Sequence, residues 1–196
     1  NGVQLAIHAM DMMRQQVRPE SRIGTWIIAG GTASNVIPEF GELEVTVRHT
    51  EREYLNGLSE QIKNIFEGAA LCTGTTVDVE FYGNPYDDMN QNHRGTLLIE
   101  DVMTDMGIDF KPGPADIGGS SDIGNVSYQC AAFHPKLRLA GDDKVCHSKE
   151  FAAAMLEPTI EQTILDGANI IGRTLLSLVE NPAVLEEIVA EFNASK

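Results

Sequence analysis

The sequence predicts a mixed α/β fold in which amphipathic helices alternate with short strands. Residues 22–29 are rich in β-branched and aromatic side chains, while residues 41–48 and 75–82 alternate apolar and polar side chains. Apolar residues recur at helical spacing in 3–17 and 50–71, so the order is helix, strand, strand, helix, strand. With one further strand ahead of them, these elements make the β-α-β-β-α-β unit of a ferredoxin-like sandwich.

Local signals predict where these elements begin and end. The first helix should end before Pro19, because the residue before a proline disfavours helical geometry. Gly30-Gly31 should end the first strand. Thr50 and Glu53 have the spacing of a capping box, in which hydroxyl and carboxylate satisfy reciprocal backbone donors, and we expect them to open the second helix.

A second region is predicted after Gly83-Asn84-Pro85, where the composition becomes acidic. The predicted domains are therefore 1–83 and 84–196. The second should contain helices at about 91–106, 148–179 and 182–192 and a strand near 131–139. The buried side of its long helix is predicted to comprise Ile160, Ile164, Ile170, Ile171, Leu175 and Leu176.

Composition excludes several classes of function. The 196 residues carry 14 Lys+Arg against 29 Asp+Glu, a net charge of −15, which repels phosphate backbones and argues against a nucleic-acid partner. No apolar run approaches the roughly 20 residues that cross a membrane, so no membrane partner is expected. The three cysteines form no CxxC motif, which favours a reducing cytoplasm over a disulfide framework.

The cysteines and the first residues of the chain allow two further predictions. Cys72 and Cys130 are predicted to be small core residues, and Cys146 to be inert. A helical pattern starts directly after Asn1-Gly2, and we therefore expect the chain to be a fragment of a longer protein.

Polar, turn-forming and titratable residues are densest in 116–125, with His134 and His147 downstream. Gly118-Gly119 permits close backbone approach, and the serines that follow supply neutral hydrogen-bond partners. His147 stands just before a helix that Ser148 can cap, which is a common position for a metal ligand. The same residues are also consistent with a solvated turn and with exposed histidines.

Two other interpretations concern neighbouring residues. Asn35 offers a donor and an acceptor at a loop tip, and Arg48 offers a guanidinium for a carboxylate, although a plain turn explains that loop equally well. Ser120 or Ser121 with Asp122 and a histidine contains the residue types of a serine-hydrolase triad. The G-x-S-x-G elbow is missing there, so we disfavour that triad.

The motifs, in chain order, are Gly30-Gly31-x-x-x-Asn35-Val-Ile-Pro38, Val47-Arg48, Gly119-Ser120-Ser121-Asp122-Ile-Gly-Asn-Val-Ser127, His134-Pro135 and His147-Ser-Lys-Glu-Phe151. As an ordered set they resemble the zinc amidohydrolase and metallopeptidase family of aminoacylases, carboxypeptidase G and aminobenzoyl-glutamate hydrolase. The third and fourth strings are most similar to the aminobenzoyl-glutamate hydrolase branch. The resemblance covers essentially the whole chain.

The resemblance implies a catalytic α/β domain interrupted by a ferredoxin-like lid that forms homodimers. Residues 1–83 then correspond to a lid without its first strand, and 84–196 to the C-terminal segment of the catalytic domain. Two metal ions, usually zinc, would activate a water for attack on an amide carbonyl. The site residues that it implies are His147 as a metal ligand, Asn35 and Arg48 as groups that hold the substrate carboxylate or polarise its carbonyl, and Gly119, Ser120, Ser121 and His134 as lining of the same pocket.

The resemblance also implies what this chain lacks. The other metal ligands and the general-base glutamate of the family precede its lid, so we expect them upstream of Asn1 and expect the isolated chain to be inactive. The expected substrate of the longer protein is an N-acyl or N-aroyl amino acid or a dipeptide-like amide. The alternative is a non-catalytic dimerisation or small-ligand-binding module, whose strands 22–29 and 41–48 pair edge to edge across a two-fold axis.

Overall fold

The computed structural model describes residues 1–113, 119–139 and 145–195, which form two compact units, Asn1–Asp88 and Met89–Lys196. The elements in chain order are α1 (Gly2–Met13), β1 (Arg22–Ala29), β2 (Glu42–Arg48), α2 (Arg52–Thr73), α3 (His93–Asp105), α4 (Ile123–Ser127), α5 (Lys149–Ala154), α6 (Thr159–Glu180) and α7 (Pro182–Ala194). The predicted mixture of helix and strand is confirmed. Within the described ranges, no helix is long and apolar enough to cross a membrane.

The first unit is built around an antiparallel pair of strands, β1 and β2, in which Ile23 lies opposite Val47 and Thr25 opposite Val45. Both predicted strands are confirmed. Ile23 and Ile27 of β1 lie on the same face as Leu43, Val45 and Val47 of β2, whereas Trp26 lies on the other face. The first of these faces packs against helices α1 and α2. The core comprises Met10, Leu58 and Ile62, with Ile23, Leu43, Val45 and Val47 against it.

The start of α2 differs from the prediction. Its N-cap is Glu51, which makes no side-chain capping bond, so the capping box of Thr50 and Glu53 is wrong. Instead, the backbone N–H of Arg52 donates to Asp88 Oδ1 at 3.0 Å, and that of Glu51 donates to His49 Nδ1 at 2.9 Å. Acceptors outside the helix therefore satisfy the donors that a capping box would have satisfied.

The predicted third strand is absent from the described structure. The left-handed Gly74 (φ 68°) ends α2, and residues 75–82 then run without strand pairing. Phe81 remains 71% exposed, so the alternating residues of this segment do not form a buried face. Alternation identifies side chains that share a face, but a strand also requires an available neighbour to pair with. The described sheet has two strands, and the ferredoxin-like arrangement is not confirmed.

In the second unit, α3 packs against α6 and α7. Its core comprises Ile99, Met103 and Ile170, with Phe133 and Leu137 among the residues that cover it. The predicted helices at 91–106 and 182–192 are confirmed to within two residues at each end. The strand predicted at 131–139 is absent, because that segment packs as irregular chain through Phe133 and Leu137.

The long helix predicted over 148–179 is two helices, α5 and α6. Pro158 stands between them; it lacks an N–H and disfavours helical geometry at Glu157. Six residues of the predicted long helix were expected to be buried. Ile160 and Ile170 are buried, and the other four are more than half exposed: Ile164, Ile171, Leu175 and Leu176. Cys72 and Cys130 are also exposed, so their assignment to the core is wrong.

Candidate functional site

The loop between β1 and β2 presents Asn35 at an exposed tip. Gly31 adopts φ 117°, and a Cβ there would lie 2.7 Å from Pro38 Cγ. Only glycine fits both the positive φ and this close approach, so Gly31 determines how the chain turns into the loop. Asn35 makes no described hydrogen bond, so its amide is available to a ligand.

Arg48 ends β2 directly opposite Arg22 of β1. The Arg22 guanidinium donates to the carbonyl oxygens of Pro19 (2.6 Å) and Ser21 (2.7 Å) and is thereby held against the segment that precedes β1. The Arg48 guanidinium is exposed and has no such partner among the described residues. Of the two adjacent cations, Arg48 is therefore the one that can bind a carboxylate.

The same sheet face carries an acidic and aromatic cluster that the sequence analysis missed. Trp26 lies opposite Glu44 across the two strands and is 63% exposed. The Tyr82 hydroxyl donates a hydrogen bond to the Glu44 carboxylate. This bond, followed by desolvation and the charge of Glu44, raises the pKa of Tyr82 above its ordinary value of 10.0. One feature of the sequence indicates this cluster. Trp26 is a large apolar residue, and the alternation of β1 places it on the opposite face from Ile23 and Ile27.

The described residues of the Gly-Ser loop, 119–121, are followed by the short helix α4, which ends at a buried serine. Ser127, at the end of α4, is 0% exposed; its hydroxyl accepts from the Asn90 N–H (2.8 Å) and donates to the Gly124 carbonyl (2.5 Å). Gly119 adopts φ 84°, a backbone conformation that favours glycine. Both Gly119 and Ser120 are exposed, while Ser121 is half-buried and accepts weakly from the Ile123 N–H at 3.4 Å.

His147 has a backbone conformation that is uncommon for residues other than glycine. Its φ is 67°, and among the described residues it is the one non-glycine with a positive φ. The next residue, Ser148, caps α5 by accepting from the Phe151 N–H at 3.0 Å. Unusual backbone of this kind clusters at functional sites, and here it occurs at an exposed histidine two residues before α5 begins. His134 is also exposed, in the irregular segment that follows α4.

The predicted site residues fall into both units. Asn35 and Arg48 belong to the first unit; Gly119, Ser120, Ser121, His134 and His147 belong to the second. No described hydrogen bond joins the Gly-Ser loop to either histidine. In the part of the chain that the structure describes, no three His, Cys, Asp or Glu side chains are grouped to hold a metal ion. His147 by itself can supply one imidazole ligand.

The chain is similar to two curated proteins named Xaa-Arg dipeptidase. It is 29% identical to the Mus musculus protein over 191 residues and 27% identical to the Homo sapiens protein over 194 residues. Each match covers 96% of this chain and 44% of the relative. This similarity supports a peptidase-type enzyme. No protein-family model matches the chain.

The chain therefore spans less than half the length of these relatives. Similarity over nearly all of it agrees with the broad peptidase and amidohydrolase resemblance of its motifs. The aminobenzoyl-glutamate hydrolase branch stays a prediction, as do the lid and catalytic assignments of 1–83 and 84–196.

A cleft of about 390 Å³ also lies in the first unit, at the start of α2. Arg18 crosses it, with its guanidinium 4.4 Å from the centre of the Tyr54 ring and 2.7 Å from the Glu51 carboxylate. The Arg18 N–H also donates to the Tyr54 hydroxyl at 3.0 Å. These polar groups satisfy one another, which is the pattern of a structural contact rather than of a binding site.

Proposed function

We propose that this chain belongs to a metal-dependent amidohydrolase that cleaves dipeptide-like amides. The observation that carries the proposal is similarity to two dipeptidases over 96% of the chain. The relatives' printed name favours a dipeptide with a C-terminal arginine over other N-acyl or N-aroyl amino acids. A cytoplasmic location and a homodimer formed through residues 1–83 are part of the same proposal.

Each site residue has a role in this proposal. Arg48 binds the substrate α-carboxylate through its free guanidinium, and Asn35 hydrogen-bonds the amide. Gly119, Ser120, Ser121 and His134 are further substrate-binding residues in this proposal. His147 supplies an imidazole to zinc, which when bound would polarise the amide carbonyl and activate water.

Zinc fits this chain only in part. His147 is a suitable ligand directly before a capped helix, but the described residues do not by themselves make a complete zinc centre. The further ligands and the general base would be supplied by sequence outside this chain, which spans 44% of its relatives. We therefore propose that the 196-residue chain alone does not hydrolyse amides.

The test compares the 196-residue chain with the longer reading frame that contains it, in the presence of zinc. The substrates are Ala-Arg, Ala-Ala, N-acetyl-arginine and N-benzoyl-glutamate. We expect the longer protein to hydrolyse Ala-Arg and the short chain to hydrolyse none of them. Hydrolysis by the short chain contradicts its proposed inactivity, and failure of the longer protein on every amide contradicts the enzyme assignment.

The second candidate is a binding module without catalysis. It is favoured by the open sheet face of the first unit, where Arg48 and Trp26 are exposed. In that case the longer protein binds the dipeptide and releases it unchanged. Chromatography of the ligand after incubation separates the two functions.

A further inference from the structure

The outer face of the β1–β2 pair has a charge pattern that neither the fold nor the proposed catalysis explains. Three cross-strand pairs lie along it: Arg22 with Arg48, Gly24 with Thr46, and Trp26 with Glu44. Directly opposed residues project from the same face of a sheet. The face is therefore cationic at one end and acidic and aromatic at the other. In the middle it carries only the short side chain of Thr46, because Gly24 has none.

The middle of this face is a notch. Gly24 has no side chain, and a Cβ built on it would meet a single neighbour, the Thr46 carbonyl oxygen at 3.9 Å. The notch is bordered by Trp26 on β1 and Glu44 on β2. Arg48 follows Glu44 by four positions on β2, a span of about 13 Å along the strand. The side chains of Glu44 and Arg48 are long enough to extend toward each other above Gly24, which brings their charged groups closer together than their backbones are.

The acidic end is suited to a planar cation. Trp26 presents an exposed indole, on which guanidinium groups stack. Glu44 beside it can accept two guanidinium N–H groups. The Tyr82 hydroxyl already donates to Glu44 and so restrains the carboxylate, although Tyr82 itself is 70% exposed. Ordinary solvated faces pair a surface glutamate with a lysine or arginine, and here two aromatic residues flank it.

We propose that Glu44, Trp26 and Tyr82 form a binding site for the guanidinium of a C-terminal arginine residue, whose α-carboxylate binds Arg48. This inference rests on the proposed function, since it assigns the side-chain specificity of the same substrate. The ligand lies along the notch at Gly24, with its two charges matched to the two ends of the face. Glu44 is then the residue that distinguishes arginine from neutral side chains.

The protein contains a single tryptophan, Trp26, so its fluorescence reports directly on this site. The experiment titrates the 196-residue chain with Ala-Arg and, separately, with Ala-citrulline, which has nearly the same shape but no charge. We expect a saturable change with Ala-Arg and an affinity about tenfold lower for Ala-citrulline, because a charged hydrogen bond is lost. Equal affinities, or no saturable change with Ala-Arg, would overturn the proposal.

Two variants and a control locate the site. Glu44→Gln should weaken Ala-Arg binding about tenfold. The control is Glu42→Gln, which removes the same charge two positions earlier on β2. It should change the affinity by less than about twofold. Gly24→Val should fill the notch and abolish binding while the strand stays folded, since valine favours β-structure. Equal effects of the two glutamine variants, or wild-type binding by Gly24→Val, would overturn this placement.

The outcomes separate this inference from the proposed function. If the longer protein hydrolyses Ala-Arg but Trp26 shows no saturable response, the site is wrong and the enzyme assignment stands. If Trp26 responds with the expected selectivity but no amide is hydrolysed, the site stands and the enzyme assignment is wrong.

Discussion

Gly95 of α3 lies against the aromatic ring of Phe133. A Cβ built on Gly95 would overlap three ring carbons, so the absence of a side chain is what lets Phe133 reach the core. Gly95 also donates its N–H to the side chain of the helix cap, Asn92, at 2.9 Å. The first turn of α3 therefore combines a side-chain cap from Asn92 with an aromatic ring packed directly against the backbone of Gly95.

Gly95→Ala should destabilise the second unit although alanine is the better helix former. Overpacking against Phe133 costs about 1–3 kcal/mol, which outweighs the helix gain of about 1 kcal/mol. The matched control is Gly172→Ala in α6, where a Cβ meets nothing within 4 Å and stability should rise by about 0.5–1 kcal/mol. Hydrogen exchange of the α3 and α6 amides measures both, and a stabilising Gly95→Ala contradicts the packing.

Asn92→Ala should cost about 2–3 kcal/mol of stability in the second unit. The side chain is 4% exposed; it caps α3 and donates to the Ile188 carbonyl of α7 at 2.9 Å. Its removal loses the cap of α3 and the hydrogen bond that the Asn92 amide donates to the Ile188 carbonyl. Asn169→Ala, at an exposed position of α6, should stay within about 0.5 kcal/mol. Exchange of the Gly95 amide reports the loss, and equal effects of the two variants would refute the double role of Asn92.

The phenol of Tyr82 should ionise above pH 10.0, because its hydroxyl donates to Glu44. The folded state holds this proton more tightly than the unfolded state, so the associated stability is fully present below pH 10.0. It is lost as pH rises through the raised pKa. Ultraviolet titration of the chain, with Tyr82→Phe to assign the signal, gives the midpoint. Glu44→Gln should lower it and Glu42→Gln should not; an unchanged midpoint in Glu44→Gln contradicts the contact.

Local patterns predicted the elements that depend on local chemistry. Strands β1 and β2 follow from their own composition and alternation, and α3 follows from the apolar spacing of residues such as Ile99 and Met103. The start of α2 could not be predicted this way, because its acceptor, Asp88, is 36 residues from Arg52. The prediction of a third strand was wrong for a related reason. Strand pairing requires a neighbouring strand, and the alternation of residues 75–82 does not show whether one is available.

The sequence names candidate residues for a site but not how their side chains are arranged. It places His147 directly before a helix that Ser148 can cap, but the positive φ of His147 could not be known beforehand. The cluster of Trp26, Glu44 and Tyr82 was missed because it depends on strand register and on where an irregular segment returns to the sheet. Each of these residues is unremarkable by itself in the sequence.

The central claim, that His147 is a metal ligand of an amide-hydrolysing enzyme, is tested most directly by His147→Asn in the longer protein. Asparagine tolerates positive φ, so this variant keeps the backbone and removes the imidazole. The control is His8→Asn, at an exposed position of α1. Zinc content and kcat/KM for Ala-Arg are measured together. We predict that His147→Asn lowers kcat/KM at least about hundredfold and reduces bound zinc, while His8→Asn changes neither. Wild-type zinc content and turnover in His147→Asn would contradict the account.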